Sequence, residues 1–173
     1  HLCNRDYGEF YENLKRDTFC ETYGLCYDLG KLKRKLKMNH KIDELYNLKK
    51  LSRVCTCITD IPKEIDQLVN LQRLDLSTNK ITTIPSEICQ LVNLQQLHLY
   101  NNQITAINSI SSEICQLVNL QRIDLSHNLI TTIPSEIGQL INLQMLNLCF
   151  NQITTIPRGI LGAVVEPDRE GSL

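Results

Sequence analysis

Residues 71–93 read LQRLDLSTNKITTIPSEICQLVN, and residues 120–142 read LQRIDLSHNLITTIPSEIGQLIN. Every aliphatic position of the first segment is aliphatic in the second. Working outward, segments beginning at Leu48, Leu71, Leu94, Leu120 and Leu143 line up with a period of 23 residues, except that the one from Leu94 has 26. The three extra residues fall around Asn108-Ser109-Ile110. A fixed period of this length marks a stack of similar units, none of which can bury its apolar face alone.

Each unit divides into two halves. Leu71, Leu74 and Leu76 have the spacing of a short strand with leucines pointing inward, and Leu94, Leu97 and Leu99 repeat it. So do Leu120, Ile123 and Leu125, then Leu143, Leu146 and Leu148. Stacked copies predict a parallel sheet on a concave side. The second half, typified by Ile84, Pro85, Ile88 and Leu91, returns along the convex side. Pro85, Pro134 and Pro157 disfavour a long helix there, so turns and short helical pieces are expected. Asn79, Asn102, Asn128 and Asn151 recur at the turn leaving each strand. A short amide there satisfies backbone groups that burial would leave unpaired, so these asparagines belong to the fold rather than to a site.

The expected architecture is an α/β solenoid with a concave parallel β-sheet, a turn and short-helix convex side and an N-terminal helical cap. Residues 1–47 form the cap, 48–70, 71–93, 94–119, 120–142 and 143–161 the five repeats, and 162–173 a C-terminal tail. The first repeat is degenerate, with Arg53 where a core leucine belongs and Thr56 where the asparagine belongs. Upstream, a helix is expected from about Lys31 to Asn47, covering the apolar end of the stack. Phe10, Tyr11, Leu14, Phe19 and Tyr23 offer aromatic covering groups. No strand follows Leu161, so the last edge is either covered by the tail or open to a second copy as a homodimer.

The charges nearly cancel, at a formal net charge of -1, which gives no general attraction to nucleic acid or membrane. No apolar run is long enough to span a bilayer, and the first residues do not make a signal peptide. Of the eight cysteines, Cys89 and Cys115 occupy equivalent positions where other repeats carry Asp66 and Gly138. Such substitution fits tolerated small side chains better than a disulfide framework. The expectation is a cytoplasmic protein with reduced thiols; a disulfide-capped extracellular protein is the alternative.

The blocks LQRLDLSTNKITTIPSEICQLVN and LQMLNLCFNQITTIP resemble the leucine-rich-repeat family in its intracellular 23-residue class. The I-P-x-E-I-x-x-L-x-N-L segments are similar to those of Ras-signalling scaffolds and plant intracellular Ras-group repeat proteins. The resemblance covers roughly residues 42–161. It implies a non-catalytic module that binds another protein with its concave surface, with a small GTPase or signalling protein as the partner class. It also implies that the residues between the strand leucines form the binding surface.

On that surface one column holds Lys50, Arg73, Gln96, Arg122 and Met145. A second holds Ser52, Asp75, His98, Asp124 and Asn147, and a third Val54, Ser77, Tyr100, Ser126 and Cys149. Asp75, His98 and Asp124 are read first as a solvated polar surface or protein contact; the two carboxylates would favour a protonated imidazole, which makes a pH-sensitive contact the second reading and metal ligation the third. Tyr100, Met145 and Phe150 are the affinity candidates, because aromatic and sulfur side chains bury apolar area at interfaces. His127 and Phe150 lie near the strand exit, where lateral binding joins concave binding.

Two other function classes compete. Lys31, Lys33, Arg34, Lys35, Lys37 and Lys41 make a basic segment, and the first 50 residues carry eleven Lys and Arg against eight Asp and Glu. That segment is either a solvated cap helix, with Leu32 and Leu36 packed on the first repeat, or a contact for nucleic acid or lipid. Catalysis has no support: no Walker loop, G-x-G-x-x-G, H-E-x-x-H or G-x-S-x-G is present, and no cofactor motif occurs.

Overall fold

The computed structural model describes residues 30–36, 38, 42–107 and 117–155. Five strands, β1 (Lys50–Ser52), β2 (Arg73–Asp75), β3 (Gln96–His98), β4 (Arg122–Asp124) and β5 (Met145–Asn147), pair in parallel in chain order. Their register is that of the repeat: Leu51, Leu74, Leu97, Ile123 and Leu146 are successive partners. Each is the central residue of its strand and at most 3% exposed, while its neighbours on either side face outward. The period-two alternation therefore sends leucine into one continuous core and polar residues onto one face.

The strands are short because the chain soon leaves extended backbone. Cys55, Thr78, Asn101, His127 and Phe150 occupy equivalent positions, and all have left-handed φ between 53° and 57°. That conformation costs a residue with a Cβ about 1–2 kcal/mol. The asparagine that follows in repeats two to five offsets the cost. Asn102 donates from Nδ2 to Leu76 O (3.1 Å) in the preceding repeat and to Leu99 O (3.0 Å) in its own. Its Oδ1 accepts from the Ile81 N–H at 3.0 Å. Asn79, Asn128 and Asn151 make the same set, so the expected ladder is present rung by rung. In the degenerate repeat Thr56 replaces the amide, and Asn79 Oδ1 of the next repeat accepts both the Thr56 and Ile58 N–H groups.

The return half is built as expected, from short 3-10 helices at Lys63–Gln67, Ser86–Gln90 and Ser135–Gln139. Pro62, Pro85 and Pro134 precede them with extended backbone, which fixes the approach without spending a donor. Ile65, Ile88 and Ile137 are buried at equivalent positions, joined by Glu64 in the first helix and Cys89 in the second.

Before the repeats, one helix is replaced by two pieces. Residues 30–35 form α1 and Ile42–Tyr46 form α2. The Met38 N–H donates to Lys33 O at 2.9 Å, five residues back, which closes α1. The break lets Leu32 and Leu36 on one piece and Leu45 on the other enter the same core, all three fully buried. The aromatic covering residues, Cys115, the three-residue insertion, Pro157 and the tail lie outside the described residues.

A second amide ladder runs along the opposite margin of the strands. Asn70, Asn93, Asn119 and Asn142 donate from Nδ2 to the carbonyls of Tyr46, Val69, Val92 and Val118, at 2.7–3.0 Å. In the sequence these asparagines stand only as the N of L-x-N-L, the end of the I-P-x-E-I-x-x-L-x-N-L pattern, with no role attached.

Candidate protein-binding face

The strands bring the first two columns together as the repeat requires. Lys50, Arg73, Gln96, Arg122 and Met145 are register partners, and so are Ser52, Asp75, His98, Asp124 and Asn147. All are at least partly exposed. Arg73 is held in place: Nη1 donates to Gln96 Oε1 at 2.7 Å, and Nη2 lies 3.4 Å from Asp75 Oδ2. Arg122, between Gln96 and Met145 in its column, remains exposed.

The third column is not a uniform face. Ser77 and Ser126 are buried, at 4% and 5% exposure, while Val54 and Tyr100 are exposed. The reason lies two residues upstream. Asp75 Oδ1 accepts from the Ser77 N–H at 3.2 Å, and Asp124 Oδ1 accepts from the Ser126 N–H (3.0 Å) and Oγ (2.6 Å). Asn147 does the same for the Cys149 N–H at 3.1 Å. These side chains form Asx turns that bend the chain at the end of the strand. Asp75 and Asp124 are thus partly committed to the fold.

The protonated form that two flanking acids would favour does not prevail at His98. Burial, followed by the positive charge of Arg73, pulls its pKa below the usual histidine value, and Arg122 adds to this. Asp75 and Asp124 pull the other way and lose. His98 is therefore neutral at pH 7, and its Nε2 is buried without a hydrogen-bond partner. The metal reading fails as well: among the described residues no three His, Cys, Asp or Glu side chains converge.

The aromatic residues converge instead. The rings of His127 and Phe150 stack with centroids 4.2 Å apart and planes 17° apart. Tyr100 meets His127 edge-on at 6.3 Å and 78°. Phe150 is 60% exposed and Tyr100 40%. His127 and Phe150 sit at the left-handed position after β4 and β5, so they form a rim at the strand exit rather than part of the strand face. His127 links the other two rings. Its signal in the sequence is the offset it shares with Phe150 from the ladder asparagines Asn128 and Asn151.

The basic N-terminal segment is partly consumed by the cap. Lys31 pairs with Glu64 Oε1, and Lys35 lies 3.2 Å from Glu64 Oε2. Burial alone would raise the Glu64 pKa, but hydrogen bonds from Lys31 and Lys35 and the Lys35 charge bring it down to about 2. With Leu32 and Leu36 in the core, these lysines fasten the cap to the first repeat. Lys37 and Lys41 lie outside the described residues.

A stack of strand–turn–3-10 units, with a polar strand face and an aromatic rim, defines a solenoid repeat protein. Residues 26–107 match the family model described as a leucine-rich repeat region, and 92–134 and 118–159 match the model for two leucine-rich-repeat copies. Between residues 26 and 159 the chain belongs to the leucine-rich-repeat family, whose members generally mediate protein–protein interaction through non-catalytic domains.

Among solved structures, a leucine-rich-repeat protein of Leptospira interrogans is 40% identical with a TM-score of 0.61, over 72% of this chain and 31% of that one. The plant peptide hormone receptor RGFR1, solved in complex with RGF2, is 33% identical with a TM-score of 0.58, over 69% and 20%. The functional domain of InlJ from Listeria monocytogenes, which includes a cysteine ladder, is 27% identical with a TM-score of 0.57, over 67% and 24%. The chain spans a third or less of the length of each. No curated protein matches it. Among the described residues no helix is long and apolar enough to cross a membrane.

Proposed function

We propose that this chain is a recognition module that takes a protein partner across the strand face and anchors it on the Tyr100–His127–Phe150 rim. The observation that carries the reading is the stacked, exposed aromatic group beside a polar strand face. Large rings held in place lose little conformational freedom on binding and bury much area, which is the chemistry of interface anchors. Arg73, Asp75, Gln96, His98, Arg122, Asp124 and Asn147 form the surrounding polar floor, with Met145 as an apolar contact at its end. Of these, exposed Arg122 is the best placed to meet a carboxylate of the partner, since Arg73 is already hydrogen-bonded.

Affinity capture of partners by the wild type and by a folded Tyr100→Ala/Phe150→Ala variant tests this. The anchored partner should be retained by the wild type and bind the variant roughly 100-fold more weakly. Equal retention overturns the strand face and its rim as the site.

The intracellular class resemblance supports a small GTPase or signalling protein as the partner and a cytoplasmic setting. Cys89, fully buried at a position where other repeats place Asp66 and Gly138, fits that setting as a packing residue. The similarity to a plant receptor for a peptide hormone and to bacterial repeat proteins favours a second reading, an extracellular recognition domain. Thiol labelling of the native chain without reductant separates them: exposed Cys55 and Cys57 react in the first case and are blocked by disulfides in the second.

A further inference from the structure

A second apolar feature runs the length of the stack, away from the strand face. Tyr46, Val69, Val92, Val118 and Ile141 occupy the same position in successive turns, and they are 39%, 39%, 45%, 48% and 82% exposed. Singly exposed aliphatic residues are ordinary on a protein surface, but five in register are a stripe. The hydrogen bonds at these positions do not depend on their side chains. The carbonyls of the first four accept the Nδ2 groups of the outer asparagine ladder, a role any residue's backbone fills. The stack itself covers more than half of each of the first four residues, and what it leaves uncovered, with most of Ile141, is apolar surface.

The surroundings of the stripe say what covers it. From Val69 to Ile141 each described rung is followed by an asparagine and then, beyond a buried or half-buried leucine, by a glutamine: Gln72, Gln95, Gln121 or Gln144. None of these side chains carries a charge. Amides donate and accept alike, so a surface of aliphatic and amide groups is complementary to itself, whereas a charged margin would meet like charge in its own copy.

We propose that this flank is the interface of a two-fold homodimer, in which the stripes of two copies lie against each other and run in opposite directions. The two-fold axis falls between Val92 and Val118, and the protruding Ile141 of each copy covers the Val69 end of the other. This interface is separate from the strand face and the C-terminal edge, and it stands whether or not the aromatic rim binds a partner.

Sedimentation of the full chain over a dilution series tests the proposal. The wild type should dimerise reversibly. Val92→Glu and Val118→Glu each place like charges beside the axis and should raise the dimer dissociation constant by roughly 100-fold or more. Because both side chains are half exposed, circular dichroism and melting should stay those of the wild type. Tyr100→Ala/Phe150→Ala should dimerise normally, which keeps this result distinct from loss of partner binding. A wild type that is monomeric at its highest soluble concentration, or a dimer that survives both glutamate variants, overturns the interface. If the monomeric chain is instead taken up by neutral phosphatidylcholine vesicles, and Val92→Glu abolishes uptake, the stripe meets lipid rather than its own copy.

Discussion

Asparagine serves this molecule twice per repeat, and the two ladders are unequal. The inner set is 5–9% exposed at Asn79, Asn102 and Asn128, and each amide there bonds on both its oxygen and its nitrogen. In the outer set Asn93, Asn119 and Asn142 are exposed, and each makes a single bond from Nδ2 to a carbonyl. The same residue is therefore a structural necessity on one margin and a fastening on the other. Glutamate repeats the lesson: Glu64 is buried between two lysines, whereas Glu87 has one exposed lysine, Lys63, at 3.6 Å. What decides the weight of a polar side chain here is how much water its partners lose access to.

The contrast is open to direct challenge. The largest effect is expected from Asn128→Leu, which leaves the Ile104 N–H and the carbonyls of Leu99 and Leu125 without their side-chain partner. It should cost about 3 kcal/mol by denaturant unfolding, and an unchanged midpoint would break the comparison at its stronger end.

Glu64→Gln should cost about 1 kcal/mol at pH 7, because a charged acceptor becomes neutral while its shape is kept. The folded pKa of Glu64 lies near 2, below its ordinary value of 4.5, so its stabilisation is present above pH 4.5 and is lost as pH falls through about 2. Stability measured against pH should show the two proteins converging over that window; a constant difference would mean that the ion pair is not its source. The smallest effect belongs to Asn119→Ala, about 0.5 kcal/mol for one exposed bond. A loss comparable with Asn128→Leu would erase the distinction between the ladders.

The stack, its strand register and the inner ladder were legible because they repeat in residue type: leucine at fixed offsets, then asparagine. The left-handed turn was hidden because Cys55, Thr78, Asn101, His127 and Phe150 share a backbone shape and no side-chain chemistry. The outer ladder was hidden for another reason. Its asparagines follow apolar residues of the return half and look like spacing, and only coordinates reveal the carbonyl that each one reaches. Columns read from the sequence placed His98 between two acids correctly. They carried no information on desolvation, the largest cause, or on how the Arg73 charge weighs against those acids, so the sign of its pKa shift was missed. Phe150 was recognised as an anchor, but its stacking on His127 depends on two left-handed turns in neighbouring repeats.

The inner ladder also has a direction. Each of its amides reaches back: Asn102 to Ile81 and Leu76, Asn128 to Ile104 and Leu99, Asn151 to Ile130 and Leu125. A repeat leaving the ribosome finds every inter-repeat partner of its asparagine already synthesised, and the helices that seal the first repeat are made before it. Growth can proceed turn upon turn in the order of translation, with each newly emerged asparagine completing the hydrogen bonds of the turn before it.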